Sequence, residues 1–454
     1  MAVEVDVVVV GLGVGGEEVA GRLAQAGLSV VGIEHRLVGG ECPYWGCIPS
    51  KMMIRAANLL AETRRVPGLA GASTVEPDWS QVAKRIREEA TDDWDDKVAV
   101  ERFVGKGGRF VRGFGRLTGP GRVEVGDEVF QARRGIVIGT GTAPAVPPIE
   151  GLAGTPYWTN REAIEAEELP DSLLILGGGA IGLELAQVYA RFGTTVTVVE
   201  ALDRLLALEE PESSALVAKV FTAEGIGVRT GVKATRVEHD GQQLSLTVDS
   251  GQPLVGQKLL VATGRRANLG DLGLASVGLD EQARFLPVDE WLRAGDRLWG
   301  VGDVTGHGAF THVAMYEADI VVRDILRQGG PAADYRALPR VTFTDPEVGA
   351  VGLTEAQARE KGIPVRTAYT DLTASTRGWI HKAGNEGFIK LVADTDRSVL
   401  VGATSAGPVG GEVLGALAVA VHGQVPIARL ASMIYAYPTF HRGIEDALTD
   451  LRAG

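Results

Sequence analysis

The stretch Val3-Glu4-Val5-Asp6-Val7-Val8-Val9-Val10-Gly11-Leu12-Gly13-Val14-Gly15-Gly16 decides the fold. Val3–Val10 is rich in β-branched residues and reads as a buried strand. A glycine turn follows at once, then a helical pattern from Glu17 to Ala26. Leu28–Glu34 reads as a second strand that ends in an acid. Strand, glycine turn, helix, strand and carboxylate, in that order, form a dinucleotide-binding fingerprint. Gly11, Gly13 and Gly16 let the backbone approach a pyrophosphate. The helix N-terminus adds a positive dipole and N–H donors, and Glu34 accepts from a ribose. The bland alternative is a tight turn that only packs helix on strand.

The pattern recurs. Ser172–Leu176 reads as a strand, Gly177-Gly178-Gly179-Ala180-Ile181-Gly182 as the turn, Leu183–Phe192 as a helix, and Thr195–Glu200 as a strand ending in an acid. Both glycine-to-acid intervals are 23 residues, 34 − 11 and 200 − 177. Two such units imply two dinucleotides, or two uses of one fold. Gly177, Gly179 and Gly182 would cradle the second. A carboxylate at Glu200 favours a ribose 2′-OH over a 2′-phosphate, so NADH is expected over NADPH. Arg204, four residues on, is placed to soften that preference.

Between the units lies Gly39-Gly40-Glu41-Cys42-Pro43-Tyr44-Trp45-Gly46-Cys47-Ile48-Pro49-Ser50-Lys51, with the only two cysteines of 454 residues. A disulfide scaffold uses more cysteines in a shorter chain. A zinc site needs further ligands, and the seven histidines do not cluster here; no metal site is expected. A close pair before a helix-like run, Pro49–Leu60, suits reversible thiol–disulfide chemistry. Cys47 would lie near a helix N-terminus, where a thiolate is favoured. Lys51 follows one turn later on the same face. The alternative is two buried cysteines acting as small apolar residues.

The chain has a net charge of −13, which argues against nonspecific nucleic-acid or anionic-membrane binding. Acids near the N-terminus do not suit a signal peptide, and no apolar run reaches spanning length. The expected location is the cytoplasm.

Two fingerprints flanking Cys42-x4-Cys47 resemble the class I pyridine nucleotide–disulfide oxidoreductases. The resemblance also rests on Gly139-Thr140-Gly141-Thr142-Ala143-Pro144, Ala262-Thr263-Gly264-Arg265-Arg266, Gly300-Val301-Gly302-Asp303 and Thr344-Asp345-Pro346-Glu347-Val348-Gly349. It implies an α/β fold with two Rossmann-like domains, for FAD and NAD(P), and a C-terminal α+β dimer-interface domain. The FAD domain would comprise 1–150 and 267–335, the NAD(P) domain 151–266, and the interface domain 336–454. Gly40, Lys51, Thr140, Gly141, Gly302 and Asp303 would join the FAD site, and Gly264 the NAD site. The resemblance further implies a homodimer in which each C-terminal segment completes the partner's active site. Electrons would pass from NADH through FAD to the Cys42–Cys47 disulfide and on to a small-molecule acceptor. Cys47 would sit beside the flavin, Cys42 would exchange with substrate, and Lys51 would pair with Glu184.

The sequence also departs from that pattern. The family's reductases usually carry His-Pro-x-x-x-Glu near the C-terminus as an acid–base dyad; here Tyr437 and Arg442 hold those places. A phenol titrates near 10 and is a poor base at neutral pH. His441 could substitute if a helix from Pro438 put it on one face with Glu445. His312, beside the expected flavin site, is a second candidate. Mercury reduction is disfavoured, because no cysteine follows Cys47. Glu41 replaces a family threonine, and Tyr44 and Trp45 could form a flat apolar wall for an aromatic acceptor. Ala180 is small where many members of the resembled family carry a bulky aromatic over the flavin, which would leave the nicotinamide pocket more open. Three functions compete: a disulfide-type reductase, a quinone or dye reductase using the flavin directly, and a flavin-bound redox sensor.

Overall fold

The computed structural model describes residues 2–453. The chain forms two compact units. One comprises the segment up to Pro49, Lys84–Ala145 and Gly264–Asp334; the other comprises Ser50–Ala83, Val146–Thr263 and the chain from Tyr335 onward.

The first unit is organised around the opening strand, Val3–Val10. Parallel neighbours flank it, Val30–Glu34 on one side and Glu128–Ile138 on the other. Arg109–Arg112 extends the sheet beyond Val30–Glu34, and Leu298–Gly300 extends it beyond Glu128–Ile138. Strand alternation sends Val7 and Val9 into one core, with Leu23 and Phe103. Val8 and Val10 enter a second core, with Ile33 and Phe130, and a register irregularity between Val5 and Val7 sends Val5 there too. A strand covered on both faces reads as an unbroken apolar run, and each buried valine contributes about 1.5–3 kcal/mol. Helix Val14–Gln25 follows the first glycine turn, three residues ahead of the sequence estimate.

The second unit repeats the device. Gly227–Thr230, Thr195–Glu200, Ser172–Leu176 and Lys258–Val261 lie in that order as a four-stranded parallel sheet. Helix Ala180–Arg191 follows the second glycine turn. The same unit holds a five-stranded antiparallel sheet, from Pro339–Thr342 to Val365–Asp371 in the order of the ladder. Helices Gly410–His422 and Gly443–Ala453 cover that sheet through Leu414, Leu417, Ile444 and Leu448. The architecture is thus two Rossmann-like sheets plus a C-terminal α+β layer. No helix among the described residues is long and apolar enough to cross a membrane.

Candidate active site

The six fingerprint glycines sort into two kinds. A Cβ on Gly11, whose φ is +90°, would fall 2.5 Å from the Gly139 carbonyl oxygen; one on Gly16 would fall 2.0 Å from the oxygen of Gly11. In the second turn, Gly177 would meet the Ala262 oxygen at 2.3 Å, and Gly182 the oxygen of Gly177 at 2.3 Å. These four are glycine because the protein itself leaves no room. The middle glycines differ. Gly13 has ordinary φ, −64°, and a Cβ there would meet nothing nearer than 3.9 Å; Gly179, at −87°, would meet nothing within 4 Å. Their bareness leaves open space beside each turn. Each caps a helix without a side-chain hydrogen bond, so first-turn N–H groups face that space. Both turns therefore fit a pyrophosphate.

The two terminal acids act alike. Glu34 accepts from the N–H groups of Leu12 (2.9 Å) and Arg36 (2.7 Å). Glu200 accepts from Gly178 (2.6 Å) and Leu202 (2.7 Å). A carboxylate offers about four acceptor sites, so each retains capacity for a ribose. Burial opposes the charge on Glu34, but hydrogen bonds from His35 and the backbone outweigh it and hold the carboxyl below its ordinary range. Arg204 is committed elsewhere: its guanidinium donates to the Leu206, Ala207 and Glu209 carbonyls and to Ser214 Oγ.

Around the first turn, Gly39 N–H donates to Leu12 O at 2.7 Å. Gly40, at φ +70°, passes so near Gly13 that a Cβ would fall 2.8 Å from the Gly13 Cα. These contacts pin the cysteine segment to the first glycine turn. Thr140 and Asn268 exchange side-chain-to-carbonyl bonds, both 2.9 Å, and Asn268 N–H donates to Gly141 O at 3.0 Å. Asp303 accepts from Thr142 Oγ1 at 2.8 Å, and burial raises its carboxyl above the usual value. Gly264 O accepts from Ala145 N–H. Sequence reasoning missed Glu317, wholly buried, which accepts from Gly302 N–H (2.6 Å) and Thr305 Oγ1 (3.0 Å). Its helical setting among Val and Ala carried no signal of that role.

Both cysteines are thiols. A short helix, Glu41–Trp45, carries Cys42; after Gly46 a longer one, Cys47–Arg65, begins at the second cysteine, two residues earlier than expected from sequence. Cys47 is exposed and Cys42 half-buried. Thr311 Oγ1 donates to Cys42 Sγ at 3.1 Å and lies 3.3 Å from Cys47 Sγ. The hydrogen bond with Cys47, then burial, push the Cys42 thiol strongly up; the Thr311 bond pulls the other way. Sequence reasoning singled out the neighbouring His312, whose ring stacks on Phe310 at 5.1 Å, and missed Thr311.

Lys51 Nζ pairs with Glu184 Oε2 at 2.8 Å, and Glu184 Oε1 accepts from Phe343 N–H at 2.8 Å. The ammonium lies 4.6 Å from the Phe343 ring centre. Tyr44 and Trp45 do not form a flat wall. Tyr44 is buried, and the two rings are tilted by 54° at 5.9 Å. Burial, reinforced by Asp96 and Glu17, pushes the Tyr44 phenol up to about 12. Ala180 is the first residue of its helix and is half-buried.

At the C-terminus, Tyr437 is 65% exposed; its hydroxyl donates to Thr376 Oγ1 at 3.4 Å, and the Arg442 guanidinium lies 5.5 Å from its ring centre. The expected His441–Glu445 pair does not form. Residues Phe440–Arg442 make a 3-10 turn, and the helix starts only at Gly443. Glu445 pairs instead with Arg442 at 2.9 Å, while the His441 ring approaches Tyr435 at 6.3 Å. His441, Arg377, Tyr435 and Phe440 line a cavity of about 700 Å³.

Residues 5–318 match the family described as pyridine nucleotide-disulphide oxidoreductase, and residues 338–448 match that family's dimerisation domain. The chain belongs to the pyridine nucleotide-disulphide oxidoreductase family. It is 33% identical to the dihydrolipoyl dehydrogenase of Thermus scotoductus, across 97% of this chain and 96% of the relative. It is also 33% identical to a mercuric reductase of Streptomyces lividans, across 97% and 94%. Among solved structures, it resembles the HOCl-induced flavoprotein disulfide reductase RclA of Escherichia coli with a TM-score of 0.86 and 26% identity, covering 98% of this chain and 99% of that one. The family is FAD-dependent and uses a pyridine nucleotide, and its members are oxidoreductases.

Proposed function

We propose that this chain is an NADH-dependent flavoprotein reductase. The Cys42–Cys47 pair takes up two electrons and hands them to a disulfide- or thiol-type acceptor. The single observation that carries this reading is the placement of both sulfurs on Thr311 in a segment pinned to the first glycine turn. The FAD domain would be 1–150 with 267–335, the NAD domain 151–266, and the dimer-interface domain 336–454.

Gly11, Gly13, Gly16, Glu34, Gly40, Thr140, Gly141, Gly302 and Asp303 would hold FAD; Gly177, Gly179, Gly182, Glu200 and Gly264 would hold NADH. Bound FAD supplies two-electron transfer between the nicotinamide and the cysteine pair. Lys51, oriented by Glu184, supplies a cation one helical turn from Cys47. With both cysteines reduced, the Cys42 thiolate attacks an acceptor disulfide and forms a mixed disulfide, and the first acceptor thiolate leaves with a proton. Cys47 then attacks Cys42 Sγ, which closes the Cys42–Cys47 disulfide and releases the second thiol. NADH is favoured because a carboxylate at Glu200 suits a ribose 2′-OH better than a 2′-phosphate and Arg204 is held by carbonyls. Tyr437 and Arg442 stand where the family's reductases keep an acid–base dyad. The C-terminal segment would complete the site of a second copy.

The test is a Cys42→Ser variant assayed with NADH against a small disulfide and against a quinone. Loss of disulfide turnover is expected, and full retention would sink the reading. Quinone turnover that survives while disulfide turnover was never present favours the second reading, direct transfer to an aromatic acceptor. The absent dyad motivates that alternative.

A further inference from the structure

We propose that the Thr311 hydroxyl passes a proton between Cys42 and Cys47, so that Cys42 becomes nucleophilic without a base from outside the pair. The inference rests on the dithiol reading above and deepens it. An attacking Cys42 must shed its proton, and the residue at position 437 is a phenol, a poor acceptor at neutral pH. Thr311 Oγ1 has one proton and two lone pairs. It lies 3.1 Å from one sulfur and 3.3 Å from the other, within reach of both. In the two-electron-reduced pair, one sulfur carries a proton and the other a charge. The hydroxyl accepts the proton from Cys42 as it gives its own to Cys47. The S–H bond at Cys42 breaks, one forms at Cys47, the threonine ends as a hydroxyl, and the net charge is unchanged. Cys42 is then the thiolate that attacks.

The setting holds the hydroxyl in place. Thr311 is the first residue of the sixteen-residue helix Thr311–Leu326, which buries Val313, Ala314, Glu317 and Ala318. A β-branched side chain has few rotamers to lose. Glu41, on the same short helix as Cys42, pairs with the Arg265 guanidinium at 3.6 Å. His312 follows Thr311 in sequence, with its ring stacked on Phe310.

The experiment uses the holoenzyme, reduced with dithiothreitol and freed of it, then alkylated with iodoacetamide from pH 6 to 10. Tandem mass spectrometry of the tryptic peptide Leu37–Lys51 separates Cys42 from Cys47 labelling. In Thr311→Val, Cys42 labelling at pH 7 is expected to slow by about tenfold or more, and its pH midpoint to rise, because a hydrogen bond to a charged group is lost. Thr311→Ser restores the wild-type profile. A valine profile that superimposes on wild type overturns the relay; so does a serine profile as altered as valine's, which would assign the effect to packing. If the valine variant does not retain flavin, Thr311→Ala takes its place in the same comparison. Chemical reduction makes this readout independent of NADH. Failure of NADH to expose the two thiols in wild type would count against the proposed function and leave the relay result standing.

Discussion

Replacing the middle glycine of each fingerprint separates ligand recognition from folding. Gly13→Ala places a methyl where the backbone, at φ −64°, tolerates it and where the nearest protein atom is 3.9 Å away. The apoprotein is expected to keep its stability, or to gain up to about 1 kcal/mol from a stiffer unfolded chain. In the proposed FAD site the same methyl would intrude on the surface against which a pyrophosphate would lie. Overpacking of that kind costs about 1–3 kcal/mol, or about 5- to 150-fold in FAD affinity. Gly16→Ala is the contrast. Its Cβ would stand 2.0 Å from the Gly11 oxygen, so the turn and helix must separate, at a cost above about 3 kcal/mol. Flavin content comes from the ratio of flavin to protein absorbance, and stability from the thermal midpoint of flavin-stripped protein. Gly179→Ala should retain flavin and raise the KM for NADH over the same range. The reasoning fails if Gly13→Ala destabilises the apoprotein as much as Gly16→Ala, or loads FAD like wild type. Loss of flavin from Gly179→Ala with full flavin in Gly13→Ala would reverse the assignment of the two sites.

Glu184→Leu removes the bonds from Lys51 and from Phe343 N–H; the backbone bond to the buried carboxylate is worth about 1.5–3 kcal/mol, and the pair with partly solvated Lys51 about 1 kcal/mol or less. Lys51 is partly solvated, so Lys51→Met should cost about 1 kcal/mol or less; equal drops in thermal midpoint would contradict this. The Tyr44 phenol, pushed up to about 12 by burial, is neutral in the fold at pH values where the unfolded chain, titrating near 10, is ionised. Its stabilising share is complete below about pH 10 and is lost as pH rises toward 12. Tyr44→Phe should therefore flatten the alkaline fall in urea midpoint, and an unchanged fall would refute the link. Glu200→Ser should lower kcat/KM for NADH. It should raise that for NADPH by less than about tenfold, since Arg204 is held by three carbonyls and cannot serve a 2′-phosphate; a larger gain would show that Arg204 is released.

Much of the fold was legible because its signals are local. A valine run followed by Gly-x-Gly-x-x-Gly specifies a buried strand that turns into a helix, and the match at 172–200 repeated it. Glu34 and Glu200 were legible for the same reason: each ends its strand at a fixed distance from its turn. Helix starts were less legible. Both fingerprint helices begin three residues earlier than the apolar pattern suggests, because glycine-rich first turns carry no amphipathic signature. The helix from Pro438 that would put His441 on one face with Glu445 does not form, since residues 440–442 make a 3-10 turn and Glu445 pairs with Arg442.

The sequence by itself determined the two nucleotide folds, the close cysteine pair and a tyrosine at position 437, because those depend on residue type and spacing. Only the tertiary structure decided which glycines the protein itself requires, since that depends on carbonyls such as Gly139 and Ala262, far away in the chain. It alone buried Tyr44 and brought Thr311 to both sulfurs across more than 260 residues. Contacts at that separation follow from how strands and helices stack, and nothing in the local sequence of either partner records them.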